Sequence, residues 1–470
     1  KQKTAYEISL GLVGSEMCIR DSIRGIYPSE INEEIFFLLG KAIGTKICAT
    51  DDKRVNVCMD GRLSSNSLKE NLIKGIISVG VDVIDIGKFP TPLLYFSLHS
   101  LKVPNGVMIT GSHNPKDYNG IKIVLNWETL FDTHISELKT IILEEKFSNS
   151  MKKTGFCIQY ENILEDYINN IKSNVTIQRD IKISIDCGNG ITGVAVRKVF
   201  NGLGIKIKVI NEEVDGNFPN HPPNPNDEKN LEQLKSHVLD NSSDVGFAYD
   251  GDGDRLIVIR NDGSVLWPDQ QLMIFSEYIL KENRKGKIIY DVKCSKHLKN
   301  LIEINGGQPI LSRTGHSYIK KLMGTEGAIL GGEMSGHIFF ADKWKGFDDG
   351  IYASLRLLEL ITASSAKSEL LFSIPKSYTT PEINIPFDGN KHFTFMDLFV
   401  KLAKFEGAEI IKIDGLKVIY DECWGLIRCS NTTSNLVLRF EADSVNSLKK
   451  IQSIIKNAML KIDNKLKIPF

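Results

Sequence analysis

Four short apolar runs in the first 250 residues of the chain each lead directly into a polar loop that contains glycine. Patterns typical of amphipathic helices, such as residues 31–43 and 64–79, alternate with these runs. Apolar strands that alternate with helices predict right-handed βαβ units, in which ligands bind at the carboxyl ends of the strands. The chain is therefore predicted to be α/β, with its functional loops at strand ends. The four runs are residues 55–59, 106–109, 181–185 and 245–249.

The 470 residues suit three or four domains. The first three sections repeat the alternation of strands and helices. The last section changes to strands at 424–428 and 436–442, followed by an amphipathic helix at 444–463. We therefore expect three α/β domains and a C-terminal α+β domain. Their predicted boundaries are 23–150, 155–255, 256–371 and 375–470.

The first 22 residues differ in character from the rest of the chain. Leu12-Val-Gly-Ser-Glu-Met-Cys-Ile-Arg-Asp21 resembles the translation of a sequencing adaptor. Its apolar run is short and is interrupted by charged residues, which does not fit a signal peptide. We expect residues 1–22 to be an artefactual leader without a functional role.

Composition excludes several classes of partner. Lys and Arg together number 58, as do Asp and Glu, so the formal net charge is zero. Without a basic excess, no overall field attracts nucleic acid or an anionic membrane. No stretch approaches the ~18 apolar residues of a membrane span, and the eight scattered cysteines are typical of reduced thiols. We expect a cytoplasmic protein without nucleic-acid or membrane partners, whose anionic ligands are held by local clusters of charge.

The loop Thr110-Gly-Ser-His-Asn-Pro115 follows the second apolar run and displays Ser112 on a tight turn. A serine hydroxyl is a weak nucleophile and needs a base or an electrophilic environment. Lys122 is close enough in sequence to act as a proton shuttle, provided that its pKa falls from the ordinary value of ~10.4 through burial or neighbouring cations. The alternative for this loop alone is a polar turn with a helix-capping serine.

Three carboxylates follow the fourth apolar run, in Asp250-Gly-Asp-Gly-Asp254. They repel one another unless a cation bridges them, and the glycines let the backbone curl so that all three face one point. Oxygen-only ligation in so short a loop suits Mg²⁺. An EF-hand does not fit, because Arg255 stands where that loop needs glycine. The alternative is a solvated acidic turn.

Two later loops carry groups that bind sugars and anions. Gly332-Glu-Met-Ser-Gly-His337 offers a carboxylate and a hydroxyl to sugar hydroxyls, although alone it could be only a glycine-rich turn. Arg428-Cys-Ser-Asn-Thr-Thr433 can surround an anion with donors, although alone it could be a polar hairpin connection. His316 and His337, each taken alone, are more typical of core or surface histidines.

Together the four loops compose one site for phosphoryl transfer on a sugar. Phosphoryl transfer needs an oriented nucleophile, a metal that absorbs charge, and precise positioning. With these motifs the chain resembles the α-D-phosphohexomutase family, most closely its bifunctional phosphomannomutase/phosphoglucomutase group. Matching motifs run in the family's order from Ile23-Arg-Gly25 to 428–443. The resemblance implies four domains in a heart-shaped arrangement: three similar α/β domains with mixed sheets and a C-terminal α+β domain, each contributing one motif to a central cleft.

The resemblance also implies roles for individual residues. Those expected to be catalytic are Ser112, Lys122, His113, Arg255 and His337. Those expected to bind substrate are Arg24, Lys293, His316, Glu333, Ser335, Arg428, Ser430, Asn431 and Thr432. The expected metal ligands are the phosphate on Ser112, Asp250, Asp252 and Asp254.

The implied reaction moves a phosphoryl group between O1 and O6 of a hexose. Phosphorylated Ser112 donates to the free hydroxyl, a hexose 1,6-bisphosphate turns over within the cleft, and Ser112 takes back the other phosphate, with Lys122 as general acid or base. The implied cofactors are one Mg²⁺ per chain and hexose 1,6-bisphosphate as activator. A monomer or a dimer fits the resemblance.

Three rival functions stay open, and one of them follows from a departure from the family pattern. The family has Tyr-Asp where Asp21-Ser22 stands, so we expect the first strand to be missing or replaced and the anchoring of Arg24 to be weakened. One rival is a sugar-phosphate-binding homologue whose catalysis is impaired by that change. Another is a phosphoglucosamine mutase, although those enzymes usually have Gln where Met334 stands. The third is a Mg²⁺-dependent phosphatase that uses Asp250 as nucleophile.

Overall fold

The computed structural model describes residues 22–148, 154–364, 367–389, 391–430 and 434–470. The expected leader, apart from Ser22, lies outside the described residues, as do the two predicted substrate-binding residues Asn431 and Thr432. The described part of the chain forms four β-sheets in chain order, with helices packed against them. The predicted four-domain architecture, with mixed sheets in the α/β domains, is confirmed.

The first sheet has seven strands in the order β1-β5-β4-β2-β3-β7, and β6 pairs with β5. Strands β4, β2, β3 and β7 are parallel, whereas β1 and β5 run antiparallel to their neighbours. The strands are β1 (Ile23–Ile26), β2 (Arg54–Met59), β3 (Asp82–Lys88), β4 (Gly106–Ile109), β5 (Tyr118–Leu125), β6 (Glu128–Thr129) and β7 (Cys157–Gln159). The helices are α1 (Glu33–Cys48), α2 (Ser65–Ser78), α3 (Thr91–Ser100) and α4 (Thr133–Leu143).

The expected loss of the first strand is wrong. Strand β1 is present and pairs antiparallel with β5, so that Arg24 lies opposite Gly120. The residues from Ile23 onward therefore form this edge of the sheet.

The second sheet has five strands in the order β12-β11-β10-β8-β9. Its centre is parallel, and β11 and β12 run antiparallel. The strands are β8 (Ile183–Asp186), β9 (Ile207–Ile210), β10 (Val245–Tyr249), β11 (Leu256–Arg260) and β12 (Val265–Leu266). The helices are α5 (Ile163–Asn174), α6 (Val196–Gly202) and α7 (Glu232–Asp240), with short 3₁₀ turns at Ile191–Val194 and Glu228–Leu231.

The third sheet has four strands in the order β14-β13-β15-β16, of which only the β15–β16 pair is antiparallel. The strands are β13 (Lys287–Asp291), β14 (Gln308–Ser312), β15 (Leu330–Gly332) and β16 (Ile338–Phe340). The helices are α8 (Pro268–Glu282), α9 (Lys296–Ile304), α10 (His316–Glu326) and α11 (Gly350–Ala363), with a 3₁₀ turn at Lys367–Phe372.

The fourth sheet has six strands, all antiparallel, which agrees with the predicted α+β domain. The strands are β17 (Tyr378–Thr379), β18 (Ile383–Pro386), β19 (Glu409–Ile411), β20 (Leu416–Tyr420), β21 (Cys423–Cys429) and β22 (Asn435–Ala442). The helices are α12 (Lys391–Leu402) and α13 (Val445–Ile462).

Near the predicted domain boundaries, strand pairing shows which sheet each segment belongs to. Strand β7, which follows residue 155, pairs with β3 in the first sheet. Strands β11 and β12, which follow residue 255, complete the second sheet. The domain boundaries drawn from the sequence stay a prediction.

One buried apolar cluster extends through the first three sections of the chain. It includes Phe96 of α3, Phe247 of β10 and Phe340 of β16, and Phe96 packs edge-to-face on Tyr167 of α5 with ring centroids 5.4 Å apart. The C-terminal section has its own core, around Phe399 and the apolar face of α13. A shared core holds the strand ends of the α/β sections in fixed relative positions, because tightly packed interiors resist deformation.

Local sequence explains where several helices begin. The side chains of Asn32, Ser295, Asp349 and Ser444 each accept a hydrogen bond from a backbone N–H in the first turn that follows. Such caps satisfy donors that otherwise have no partner inside the helix. Among the described helices, none is long and apolar enough to cross a membrane.

Candidate active site

The serine loop leaves β4 and bends sharply at Ser112. The backbone of Ser112 has φ +47°, in the left-handed region that non-glycine residues rarely adopt. Its N–H donates to Thr110 Oγ1 at 2.7 Å, and its hydroxyl donates to Asp250 Oδ2 at 2.9 Å. The predicted nucleophile and the predicted metal loop therefore meet, although 138 residues separate them in sequence.

Arg62 binds the backbone of the serine loop, a role that sequence reasoning missed. Its guanidinium donates to the carbonyl oxygens of four loop residues at 2.6–2.8 Å: Ser112, Asn114, Pro115 and Tyr118. Asp60 lies 3.2 Å from Arg62 Nε and also accepts from Gly111 N. The available signal was the polar Asp60-Gly-Arg62 loop at the end of β2, beside the serine loop in a parallel sheet.

The three carboxylates of the metal loop are fully buried, so the alternative of a solvated acidic turn is wrong. Their oxygens lie within 4.8 Å of one another. Burial, and then the charges of Asp254 and Asp252, raise the pKa of Asp250 well above its ordinary value. Asp252 Oδ1 and Asp254 Oδ1 are buried and have no hydrogen-bond partner among the described residues. Repulsion between the carboxylates and orphaned oxygens both fit a bound cation, and an all-oxygen donor set suits a hard one such as Mg²⁺.

Lys122 reaches this cluster from β5. Its Nζ lies 2.7 Å from Asp252 Oδ2 and 2.5 Å from Asp254 Oδ2. Burial alone would lower the pKa of Lys122, but the Asp252 and Asp254 carboxylates outweigh it and raise the pKa. In this arrangement Lys122 is a cation beside the triad, and its predicted role as general acid or base stays a prediction.

Arg255 and His337 join the metal loop to the sugar loop. Arg255 Nε donates to His337 Nε2 at 3.0 Å and lies 3.8 Å from Asp250 Oδ2. The other ring nitrogen of His337, Nδ1, lies 3.6 Å from Asp254 Oδ1. Both predicted catalytic residues thus adjoin the carboxylate cluster.

The two predicted sugar-binding groups lie side by side in the third section. Glu333 accepts hydrogen bonds from Gly315 N and, at 2.8 Å, from Ser335 Oγ. His316, which follows Gly315, stacks on His337 with ring centroids 5.2 Å apart. Burial, and then the Lys320 ammonium, lower the pKa of His316 well below its ordinary value.

Arg428 lies at the end of β21 and is held by Asp414, another residue that sequence reasoning missed. Arg428 Nε donates to Asp414 Oδ2 at 2.9 Å. The same oxygen accepts from Thr314 N at 3.1 Å, which ties the predicted phosphate loop to the loop that carries His316. Ser430 is buried and its N–H donates to Asn435 O at 2.8 Å.

The remaining predicted residues are anchored in different ways. Arg24 donates to Ser22 Oγ and to Asn114 Oδ1 of the serine loop, so it is positioned despite the unusual sequence before it. His113 adjoins Ser112, with 3.4 Å between its Nδ1 and the serine Oγ. Lys293 pairs with Glu382 of the C-terminal section at 2.9 Å.

Four family models match the chain, one for each of the sections whose loops meet at this site. They describe phosphoglucomutase/phosphomannomutase alpha/beta/alpha domains I (19–149), II (165–263) and III (267–378), and the C-terminal domain (382–458). The chain belongs to the phosphoglucomutase/phosphomannomutase family.

Relatives and solved structures agree over nearly the whole length. A phosphomannomutase/phosphoglucomutase from Pseudomonas syringae pv. tomato is 44% identical over 95% of this chain and 96% of the relative. A phosphoglucomutase from Neisseria meningitidis serogroup A is 43% identical over 92% and 94%. The crystal structure of a family protein from Burkholderia thailandensis superimposes with a TM-score of 0.91 at 37% identity, covering 97% of this chain and 99% of that one. Family membership indicates an isomerase, and the buried acidic triad indicates a metal cofactor.

Proposed function

We propose that the protein interconverts hexose 1-phosphate and hexose 6-phosphate, with mannose and glucose phosphates as substrates. The observation that carries this proposal is the 2.9 Å contact between the Ser112 hydroxyl and Asp250 of the buried carboxylate triad. It places a nucleophile beside a group that can hold a cation. The names of the relatives from Pseudomonas syringae and Neisseria meningitidis support the choice of sugars.

Ser112 carries the phosphoryl group in the resting enzyme, and the triad would hold Mg²⁺ together with one oxygen of that phosphate. A bound Mg²⁺ would neutralise charge on the phosphoryl oxygens during transfer. Arg255 and Lys122 add two fixed positive charges at the same place. Preorganised charges of this kind stabilise a transition state without reorganisation of solvent.

Substrate is held at its two ends. Glu333 and Ser335 bind sugar hydroxyls, with the carboxylate oriented by the Gly315 N–H. Arg428, which is oriented by Asp414, binds the phosphate already on the sugar. Three neighbours in its loop and three further groups in the cleft bind the substrate as well. Those loop neighbours are Ser430, Asn431 and Thr432, and the further groups are Arg24, Lys293 and His316.

The reaction conserves atoms and charge in two halves. In the first half, the phosphorus–oxygen bond at Ser112 breaks while a bond forms to the oxygen of the free sugar hydroxyl. The proton of that hydroxyl passes to a base in the cleft, and the Ser112 oxygen takes a proton from an acid there. Hexose 1,6-bisphosphate then turns over, and the second half returns the other phosphate to Ser112. His113, Lys122 and His337 are the proton-handling groups proposed near the transfer. Lys122 is placed at the metal loop by its contacts with Asp252 and Asp254.

A coupled assay tests this proposal, with mannose 1-phosphate, glucose 1-phosphate and glucosamine 1-phosphate side by side. We expect turnover of the first two sugars to their 6-phosphates, dependence on a trace of hexose 1,6-bisphosphate, and loss of turnover in Ser112→Ala. Ser173→Ala, which changes an exposed serine of α5, is the matched control and should keep full activity.

Three results would contradict the proposal in different ways. Faster turnover of glucosamine 1-phosphate would identify a phosphoglucosamine mutase. Release of inorganic phosphate with undiminished activity in Ser112→Ala would identify a phosphatase that uses Asp250. Binding of all three sugars without turnover would identify an impaired homologue, although the intact β1 strand and the anchoring of Arg24 argue against that outcome.

A further inference from the structure

Lys417 of β20 is a buried lysine whose side chain reaches from the C-terminal section to the third section. Its Nζ donates to the carbonyl oxygens of Val292 at 2.8 Å and Cys294 at 3.2 Å. The same nitrogen lies 3.8 Å from the ring centroid of Trp424. The two carbonyls are those on either side of Lys293, which is expected to bind substrate.

The charge of Lys417 is unusual for its surroundings. Among the described residues, no carboxylate forms an ion pair with it, and its contacts are the two carbonyls and the Trp424 ring. Burial lowers the pKa of Lys417 to about 8. An ammonium removed from water without a counter-charge is costly, and an apolar side chain of similar length would fill the same space. A residue kept at such a cost is a candidate for a functional role.

Two contacts join the start of β20 to the third section. Lys417 binds the backbone around Lys293, and Asp414 Oδ2 accepts from Thr314 N at 3.1 Å. Strand β20 pairs with β21, which carries Arg428 near its end. The strands that carry Arg428 are therefore seated on the segment of chain that carries Lys293.

Lys293 and Arg428 lie close enough for their charges to interact. Burial alone would lower the pKa of Lys293, but Glu382 and Asp291 outweigh it and raise the pKa, while Arg428 opposes this rise. Arg428 Nη2 is buried and has no hydrogen-bond partner among the described residues. Two neighbouring cations with an available donor favour the binding of an anion such as a phosphate.

We propose that Lys417 is a positioning residue for the substrate phosphate, because it binds the backbone on both sides of Lys293 and thereby fixes the place of that ammonium relative to Arg428. This inference rests on the proposed function, which assigns Lys293 and Arg428 to a sugar phosphate. An ammonium has three N–H groups, and two carbonyls and an aromatic ring account for them. Lys417 therefore acts on substrate only through the backbone that it holds.

The central test is Lys417→Met, which keeps an unbranched side chain beside Trp424 but removes both hydrogen bonds to the backbone. Binding of glucose 1-phosphate is measured by isothermal titration calorimetry in a Ser112→Ala background, where no phosphoryl group can be transferred to residue 112. We expect Kd to rise on the order of 10-fold, because a displaced Lys293 loses a charge-assisted contact with the phosphate. An unchanged Kd in a folded variant would overturn the proposal.

Lys412→Met is the matched control, since it makes the same substitution at an exposed lysine shortly before β20. It removes the same charge from the same section without touching the backbone around Lys293. We expect Kd within about twofold of the Ser112→Ala protein. A rise equal to that of Lys417→Met would show a general effect of charge and would overturn the proposal.

A double-mutant cycle separates positioning from a merely structural role. If Lys417 acts through Lys293, then Lys417→Met should change Kd by less than about threefold in a Lys293→Met background. A structural role would weaken binding equally with and without Lys293. Fully additive losses would therefore overturn the proposal.

A crystal structure of the Ser112→Ala protein with glucose 1-phosphate stands whether or not the Lys417 variant folds. We expect Lys293 Nζ on the substrate phosphate, with Lys417 Nζ still on the carbonyls of Val292 and Cys294. A phosphate bound without Lys293, or Lys417 Nζ in contact with the substrate, would overturn the inference.

The binding measurements also distinguish this inference from the proposed function. Turnover by the unsubstituted enzyme together with an unchanged Kd in Lys417→Met would refute the positioning role alone. Weaker binding in Lys417→Met, in a protein that never turns glucose 1-phosphate over, would refute the mutase activity and support the positioning role. A protein that neither binds nor converts glucose 1-phosphate would overturn both.

Discussion

Replacing Arg62 with methionine tests the scaffold beneath Ser112. The substitution keeps an unbranched side chain of moderate length but removes the guanidinium that serves four loop carbonyls and Asp60. No neighbouring basic side chain replaces it among the described contacts of Asp60. The serine loop would lose the group that holds its backbone in one conformation.

The magnitude follows from the contacts that are lost. Removing one partner of a buried ion pair costs about 3–5 kcal/mol. Asp60 keeps three other donors, Gly111 N, the backbone N–H of residue 62 and Ser65 Oγ, which favours the lower part of that range. Loss of the four hydrogen bonds to loop carbonyls lowers the stability further. Because Pro115 is exposed, water can replace the guanidinium at its carbonyl. We expect a total of about 4 kcal/mol, which lowers the melting temperature of the first domain by roughly 8–16 °C.

Activity should fall together with stability. Displacement of the loop by about 1 Å is enough to cost on the order of 100-fold in phosphoryl transfer. Melting is followed by differential scanning calorimetry, and turnover by the coupled assay with glucose 1-phosphate. Arg54→Met is the control, because the Arg54 side chain is 46% exposed and, among the described residues, bonds Asp52 and the Lys102 carbonyl at the surface. This substitution should change stability by less than about 0.5 kcal/mol. Equal melting temperatures and equal kcat for the Arg62 and Arg54 variants would refute the scaffold role.

Three further predictions concern single groups. Asp252→Asn keeps the side-chain shape but removes a triad charge, so turnover should fall at least ~100-fold at every MgCl₂ concentration tested; full activity would refute the metal site. Burial alone would lower the pKa of His221, but Asp186, 3.0 Å from its Nε2, outweighs it and raises the pKa. The stabilisation from this ion pair is complete below the unfolded pKa of ~6.5 and is lost as pH rises through the folded pKa. His221→Gln should therefore flatten the dependence of the melting temperature on pH over this range. A variant with the same pH profile as the unsubstituted protein would contradict this prediction. Ser112→Gly should abolish phosphoryl transfer but melt at no lower temperature than Ser112→Ala. Glycine relieves ~1–2 kcal/mol of strain in the left-handed backbone, which exceeds the ~0.5–1 kcal/mol that its greater chain entropy costs on folding. A clearly lower melting temperature for the glycine variant would refute the strain.

The positions of the functional loops could be predicted from the sequence because hydrophobic patterning alone determines where buried strands end. The apolar runs at Gly106–Ile109 and Val245–Tyr249 coincide with β4 and β10. Both end at loops rich in glycine and polar groups, and parallel strands bring such loops to the same side of a sheet. The contact between Ser112 and Asp250 could be predicted because their two loops resemble motifs of one family.

Contacts between distant charges could not be predicted in the same way. The raised pKa of Lys122 depends on its distances from Asp252 and Asp254, which lie 130 and 132 residues further along the chain. The short distance in sequence between Lys122 and Ser112 suggested instead that Lys122 acts on Ser112 with a lowered pKa. Electrostatic energies depend on separation and burial, and neither can be read from spacing in the chain.

Supporting residues were missed for a related reason. Arg62, Asp348 and Asp414 each contact another side chain or a loop backbone and belong to no glycine-rich motif. The sequence signal is a polar loop at a strand end for Arg62, and otherwise a charged residue next to a buried element, as in Phe347-Asp-Asp349 before the apolar helix α11. That signal is shared by many ordinary helix caps and does not single out a site.

The phosphorylation state of Ser112 tests the central claim most directly. Intact-mass spectrometry is performed on the isolated protein before and after incubation with hexose 1,6-bisphosphate, followed by peptide mapping and with Ser112→Ala in parallel. The account predicts one phosphoryl group per chain, located on Ser112 and absent from the alanine variant. An unmodified mass under both conditions, or a phosphoryl group on Asp250, would contradict it.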